Sequence, residues 1–140
     1  MMARRLRGRA VIAGAAEGAA LVSKLPISLW GGLDPETGII MDERHDRCGE
    51  VVTGRVFVFP HGKGSSTASA VLLEAVRRGT APAAIINRRV SPILALGSIV
   101  ADEMYGRWVP IVVLPDEAFG AIGEGDRVAV APDGTVTVMA

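Results

Sequence analysis

A single cysteine, Cys48, occurs in the 140 residues. That excludes a disulfide framework, and a lone thiol fits a reducing, cytoplasmic setting. It also bounds the cofactors: cubane iron–sulfur clusters draw on roughly three or four thiolates, so this chain cannot hold one alone. Side-chain amides are almost missing, with Asn87 the single asparagine and no glutamine, and lysine is confined to Lys24 and Lys63 against thirteen arginines. No apolar run approaches the roughly 20 residues of a membrane-spanning helix. The start, Met-Met-Ala-Arg-Arg, has neither the apolar stretch nor the small-residue cleavage site of a signal peptide. The formal net charge is zero, without the basic excess of nucleic-acid or membrane-surface proteins. Arg4, Arg5, Arg7 and Arg9 are a local exception, read as a solvated edge strand rather than a binding arm.

What is there is apolar. With 49% hydrophobic residues the chain can bury a real core, and residues 1–140 read as one domain. Residues 5–13 and 19–23 are expected to pair as strands around Gly14 to Gly18, and residues 39–41 to form a short strand before a charged loop over 42–50. Between them, Pro26, Gly31, Gly32, Pro35 and Gly38 make 24–38 an irregular, structured loop of the length that often carries function. A strand at 55–59, a helix from about Ser66 to Arg78 and a strand at 83–87 follow in the order of a parallel βαβ unit. Gly79 stands at the helix C′ position. Residues 92–105 read as mostly helical, interrupted or ended near Gly97. A strand at 109–114, a short helix at 116–122 and a hairpin of 126–131 with 135–138 complete an α/β barrel-like domain of β/β/α layers.

Residues 54–70 carry the most chemistry. A short apolar strand runs into Pro60-His61-Gly62-Lys63-Gly64, and Ser65 and Ser66 then open a helix. Unpaired N–H donors and the positive dipole end make such a helix start suited to an anion. The run is not a phosphate loop, because glycine rather than serine or threonine follows the lysine. One serine can simply cap the helix while the other faces a substrate. His61 has the type of a general base or a phosphate-accepting nucleophile, although a lone histidine beside proline is more often a packing residue. The run Asp42-Glu43-Arg44-His45-Asp46 holds metal-ligating types without a helix to fix them, which favours a solvated loop. Trp30-Gly31-Gly32-Leu33-Asp34-Pro35 reads either as a substrate or partner loop or as a rigid turn that buries Trp30.

The segments Pro26-Ile27-Ser28-Leu29-Trp30-Gly31-Gly32-Leu33-Asp34-Pro35-Glu36-Thr37-Gly38, Gly62-Lys63-Gly64-Ser65-Ser66, Gly79-Thr80-Ala81-Pro82-Ala83-Ala84-Ile85 and Ile93-Leu94-Ala95-Leu96-Gly97-Ser98-Ile99-Val100-Ala101 together resemble the small, swivelling subunit of the aconitase X family. The resemblance implies a swivelling β/β/α domain similar to the mobile domain of aconitase. It implies a heterodimer with a cysteine-rich large subunit that carries an iron–sulfur cluster, expected to be 4Fe-4S. The implied activity is that of a hydro-lyase on a small anionic substrate, in which iron polarises a hydroxyl while a base takes a proton from the neighbouring carbon. By the family's motif that base is Ser65, with Lys63, Gly64 and Ser66 shaping the anion pocket. The family dehydrates 5-phosphomevalonate in the archaeal mevalonate pathway or cis-3-hydroxy-L-proline in bacterial catabolism. The first is the expectation adopted, the second its alternative, and a phosphohistidine carrier using His61 the alternative from another class.

Overall fold

The structure, a computed structural model, describes residues 3–64 and 66–139. Ser65, the expected base, lies outside the described residues. Among the described residues eight strands are formed: β1 (Ala3–Arg7), β2 (Arg9–Ile12), β3 (Ala16–Val22), β4 (Val56–Val58), β5 (Ala84–Asn87), β6 (Ile111–Val113), β7 (Arg127–Val130) and β8 (Thr135–Met139). Helices α1 (Leu29–Gly32), α2 (Ala68–Arg78), α3 (Pro92–Tyr105) and α4 (Asp116–Phe119) connect them. The strand order is β1-β8-β7-β3-β4-β5-β6-β2. Because β1 and β2 are separated only by Gly8, the two ends of the sheet are one length of chain, and the sheet closes into the expected barrel-like form.

The strands from β3 through β6 run parallel, and every residue of β4 and β5 is buried. Strands covered on both faces read as continuous apolar runs, which is why these two are so plain in the sequence. Their side chains alternate between two cores. Phe57, Phe59 and Ile85 pack with Leu72 and Leu94 from α2 and α3, whereas Val56, Val58 and Ile86 pack with Val128, Val136 and Val138 of the β7–β8 hairpin. Each fully buried side chain of this size contributes roughly 1.5–3 kcal/mol.

Helix α2 presents Leu72, Ala75 and Val76 to the core at helical spacing, and Gly79 ends it in the left-handed region at φ 77°. On its outer face Glu74 accepts hydrogen bonds from Arg77 and Arg78 at 2.7 and 2.8 Å, which hold its carboxyl down at about 2. Helix α3 runs unbroken through Gly97, against the expectation of a break. A Cβ there would lie 2.7 Å from the Ser69 carbonyl oxygen, so this glycine is where α3 crosses α2.

The expected pairing of residues 5–13 with 19–23 does not form. β3 lies between β7 and β4, while the N-terminal length of chain pairs with β8 and then β6. That length is needed to close the sheet, a role its local pattern does not reveal. Residues 39–41 make only isolated bridges, Leu33 to Ile40 and Ile39 to Val51. No described helix is long and apolar enough to cross a membrane.

Candidate active site

The C-terminal ends of adjacent parallel strands place their following loops side by side, which is where ligands bind in α/β sheets. Here the turn after β4 and the loop after β5 enclose a cleft of about 220 Å³. Three hydrogen bonds tie the two connections together. Asn87 Nδ2 donates to the Phe59 carbonyl (2.9 Å), Arg88 N–H to the Pro60 carbonyl (2.9 Å), and Gly62 N–H to Ser91 Oγ (2.8 Å). Asn87 is completely buried, and its Oδ1 has no partner among the described residues. The only asparagine of the chain thus clamps the two loops.

A third segment forms the floor. Ile27 runs parallel to Gly62, with Lys63 N–H donating to the Ile27 carbonyl at 3.1 Å, and buried Ile27 and Leu29 line the cleft. Gly64 adopts φ 90°, and a Cβ on it would sit 2.8 Å from Ser28 Oγ, so both the turn and its neighbour require glycine there.

Lys63 and Gly64, two of the expected binding residues, line this cleft. Ser66 is exposed in the turn before α2, and its carbonyl accepts from Ser69 N–H and Ser69 Oγ. The helix itself begins at Ala68, two residues later than expected, with Thr67 as the boundary residue. His61 is half-buried at the cleft and donates from Nδ1 to the Gly62 carbonyl at 3.0 Å. Sequence reasoning missed Arg89 and Ser91. Arg89 lines the cleft and makes no ion pair among the described residues, whereas Arg88 is engaged with Asp116 at 3.0 Å and lies over the Phe119 ring. The available signal was position: Arg88-Arg89-Val90-Ser91-Pro92 follows a parallel strand next to the one that leads into Lys63. Arg89, Lys63 and His61 are the ionisable side chains of the cleft, which has no acidic lining among the described residues. The ionisable lining is therefore basic, a charge that suits an anion better than a cation.

Behind the floor, His45 is not the solvated side chain expected of a charged loop. It is 6% exposed; its Nδ1 accepts from Arg47 N–H (3.1 Å), leaving Nε2 as the donor to Ser23 Oγ (3.0 Å). Asp46 accepts from Ser23 Oγ at 2.7 Å and from Lys24 N–H at 2.9 Å. Burial pushes the Asp46 carboxyl up, but the bonds from Lys24 N–H and Ser23 Oγ outweigh it and hold the group below the usual carboxylate range. With both ring nitrogens engaged, His45 anchors the start of the 23–28 segment and is not free to ligate a metal. No group of three metal-ligating side chains exists among the described residues. Trp30 is 60% exposed, so its turn does not bury it.

Residues 5–138 match the family model of the aconitase X swivel domain. The phosphomevalonate dehydratase small subunit of Methanosarcina acetivorans is 41% identical over 127 residues, covering 90% of this chain and 84% of that protein. The cis-3-hydroxy-L-proline dehydratase of Pseudomonas aeruginosa is 45% identical over 106 residues, 76% of this chain but 18% of that longer protein. Among solved structures, the holo-form of Thermococcus kodakaraensis aconitase X superposes with a TM-score of 0.88 at 36% identity, covering 98% of this chain and 99% of its own.

Proposed function

The chain belongs to the aconitase X swivel-domain family, and from that premise we propose that it is the small subunit of a phosphomevalonate dehydratase, working with a large subunit in archaeal-type isoprenoid synthesis. The observation that carries the substrate is the charge of the cleft. Lys63 and Arg89 both reach it without an ion-pair partner among the described residues, and no acid lines it. A phosphorylated hydroxy acid matches that excess of positive charge better than a zwitterionic imino acid such as cis-3-hydroxy-L-proline. The reported relatives are dehydratases rather than phosphocarriers, and His61 is tied through Nδ1 to its own loop.

Dehydration takes a proton from one carbon and a hydroxyl group from its neighbour. This chain's share is the proton, accepted by the Ser65 alkoxide, which becomes the neutral hydroxyl, together with binding of the anionic substrate by Lys63, Gly64 and Ser66. A serine oxygen is a useful base only where positive charge stabilises its anion, and the support here is Lys63, two residues away, together with the start of α2. One thiol and no cluster of metal-ligating side chains among the described residues do not fit an iron–sulfur cluster on this chain. The cluster and the leaving hydroxyl are therefore assigned to the large subunit.

The test is reconstitution with that subunit. Wild-type chain should dehydrate 5-phosphomevalonate, and Ser65→Ala should lose about 100-fold or more in kcat while still assembling, the usual scale of a general base. Activity surviving within about tenfold would contradict the base assignment. Turnover of cis-3-hydroxy-L-proline in place of 5-phosphomevalonate would contradict the substrate.

A further inference from the structure

Ser91 stands immediately before α3, where a serine side chain ordinarily accepts a hydrogen bond from the first turn of its own helix. It makes no such bond; its Oγ accepts from Gly62 N–H at 2.8 Å instead. Two consequences follow. The N–H groups of Ile93 and Leu94, the first donors of α3, have no acceptor among the described residues, and both residues line the cleft. The Ser91 hydroxyl proton also has no acceptor among them, although the residue is only 7% exposed and lines the same cleft. A buried hydroxyl left with an unused proton is a cost unless a ligand supplies the oxygen.

We infer that Arg89, Ser91 and the open first turn of α3, joined by Lys63 from the neighbouring turn, hold the phosphoryl group of the substrate. The inference rests on the dehydratase reading and deepens it by separating two ends of the cleft. Ser65 in the β4–α2 turn handles the reacting carbon and the β5–α3 loop handles the phosphate, with Lys63 shared between them. Donor number selects phosphate over carboxylate. A guanidinium alone can satisfy a carboxylate, whereas three phosphoryl oxygens use the guanidinium, the ammonium, a hydroxyl and helix N–H groups together. The positive end of α3 adds a favourable field. The loop is rigid enough for the task, because Asn87 and Arg88 N–H already fix it to the Phe59 and Pro60 carbonyls.

Two measurements test it. In a nuclear magnetic resonance titration of the full chain with inorganic phosphate at constant ionic strength, the amides of Gly62, Ile93 and Leu94 should shift saturably. Arg89→Ala should abolish those shifts and Ser91→Ala weaken them; Arg89 is exposed, so its variant keeps the fold. Shifts confined to the arginines at 4–9, or none that saturate, would overturn the subsite. In the reconstituted enzyme Arg89→Ala should raise KM about 10- to 100-fold with kcat within about threefold, and Arg89→Lys should recover part of the loss. A fall in kcat at unchanged KM would overturn it. If phosphate binds as described but wild-type enzyme ignores 5-phosphomevalonate, the subsite stands and the substrate reading fails. If 5-phosphomevalonate is dehydrated and Arg89→Ala changes neither measurement, the reading stands and the subsite fails.

Discussion

The turn after β4 and the loop after β5 occupy equivalent places on one sheet edge, yet their chemistry differs. The first is glycine-rich, with Gly64 in the left-handed region against Ser28, and it leads into α2 through Ser66 and Thr67. The second contains no glycine and enters α3 through Ser91 and Pro92, with its serine turned away from its own helix. Proton transfer is proposed for the first, through Ser65, whereas the second leaves donors without acceptors among the described residues. In the proposed enzyme, one edge of the sheet thus divides proton transfer from substrate binding.

The largest effect that would sharpen this contrast is expected from Gly64→Val. A β-branched residue at φ 90°, with its Cβ 2.8 Å from Ser28 Oγ, must displace the turn. A displacement on the order of 1 Å costs about 100-fold in rate, so kcat of the reconstituted enzyme should fall by about that much with subunit assembly retained. A variant within about threefold of wild type would show that the turn is not the catalytic side.

Asn87→Ala should act on both loops at once, because its amide is the clamp between them. Stability measured by denaturant midpoint should drop by about 1–3 kcal/mol, the cost of unpairing a buried group. Both kcat and KM should worsen, whereas an unchanged midpoint would mean the loops are held independently of this side chain.

The smallest effect is expected behind the floor, at Asp46. Its folded-state pKa lies below its unfolded value, so its contribution is complete above the ordinary carboxylate range near about 4 and is lost as pH falls through the lower folded value. Wild type should therefore exceed Asp46→Asn in stability at neutral pH by less than about 1 kcal/mol for so partly exposed a group. The gap should close as pH is lowered below the usual range, and a gap that widens there would contradict the sign.

Local signals made one of the two loops legible and left the other hidden. Gly62-Lys63-Gly64-Ser65-Ser66 is unusual enough in composition to attract attention by itself. Arg89 and Ser91 are ordinary residues whose role arises only because parallel strands put their exits side by side. The fold shows the same division. The β7–β8 hairpin and α2 follow from turn residues and helical spacing, which act over a few positions. The partners of the two N-terminal strands, β8 for β1 and β6 for β2, lie about 100 residues or more along the chain and could not be read locally. Gly97 was expected to break a helix for the same reason: its value lies in contact with Ser69, which the spacing of one helix does not contain.

The division of labour between the two loops is tested most directly by measuring Ser65→Ala and Arg89→Ala side by side in the reconstituted dehydratase. The account predicts that the first loses kcat by about 100-fold or more at similar KM, while the second raises KM about 10- to 100-fold at similar kcat. Both substitutions acting on the same kinetic parameter would contradict it.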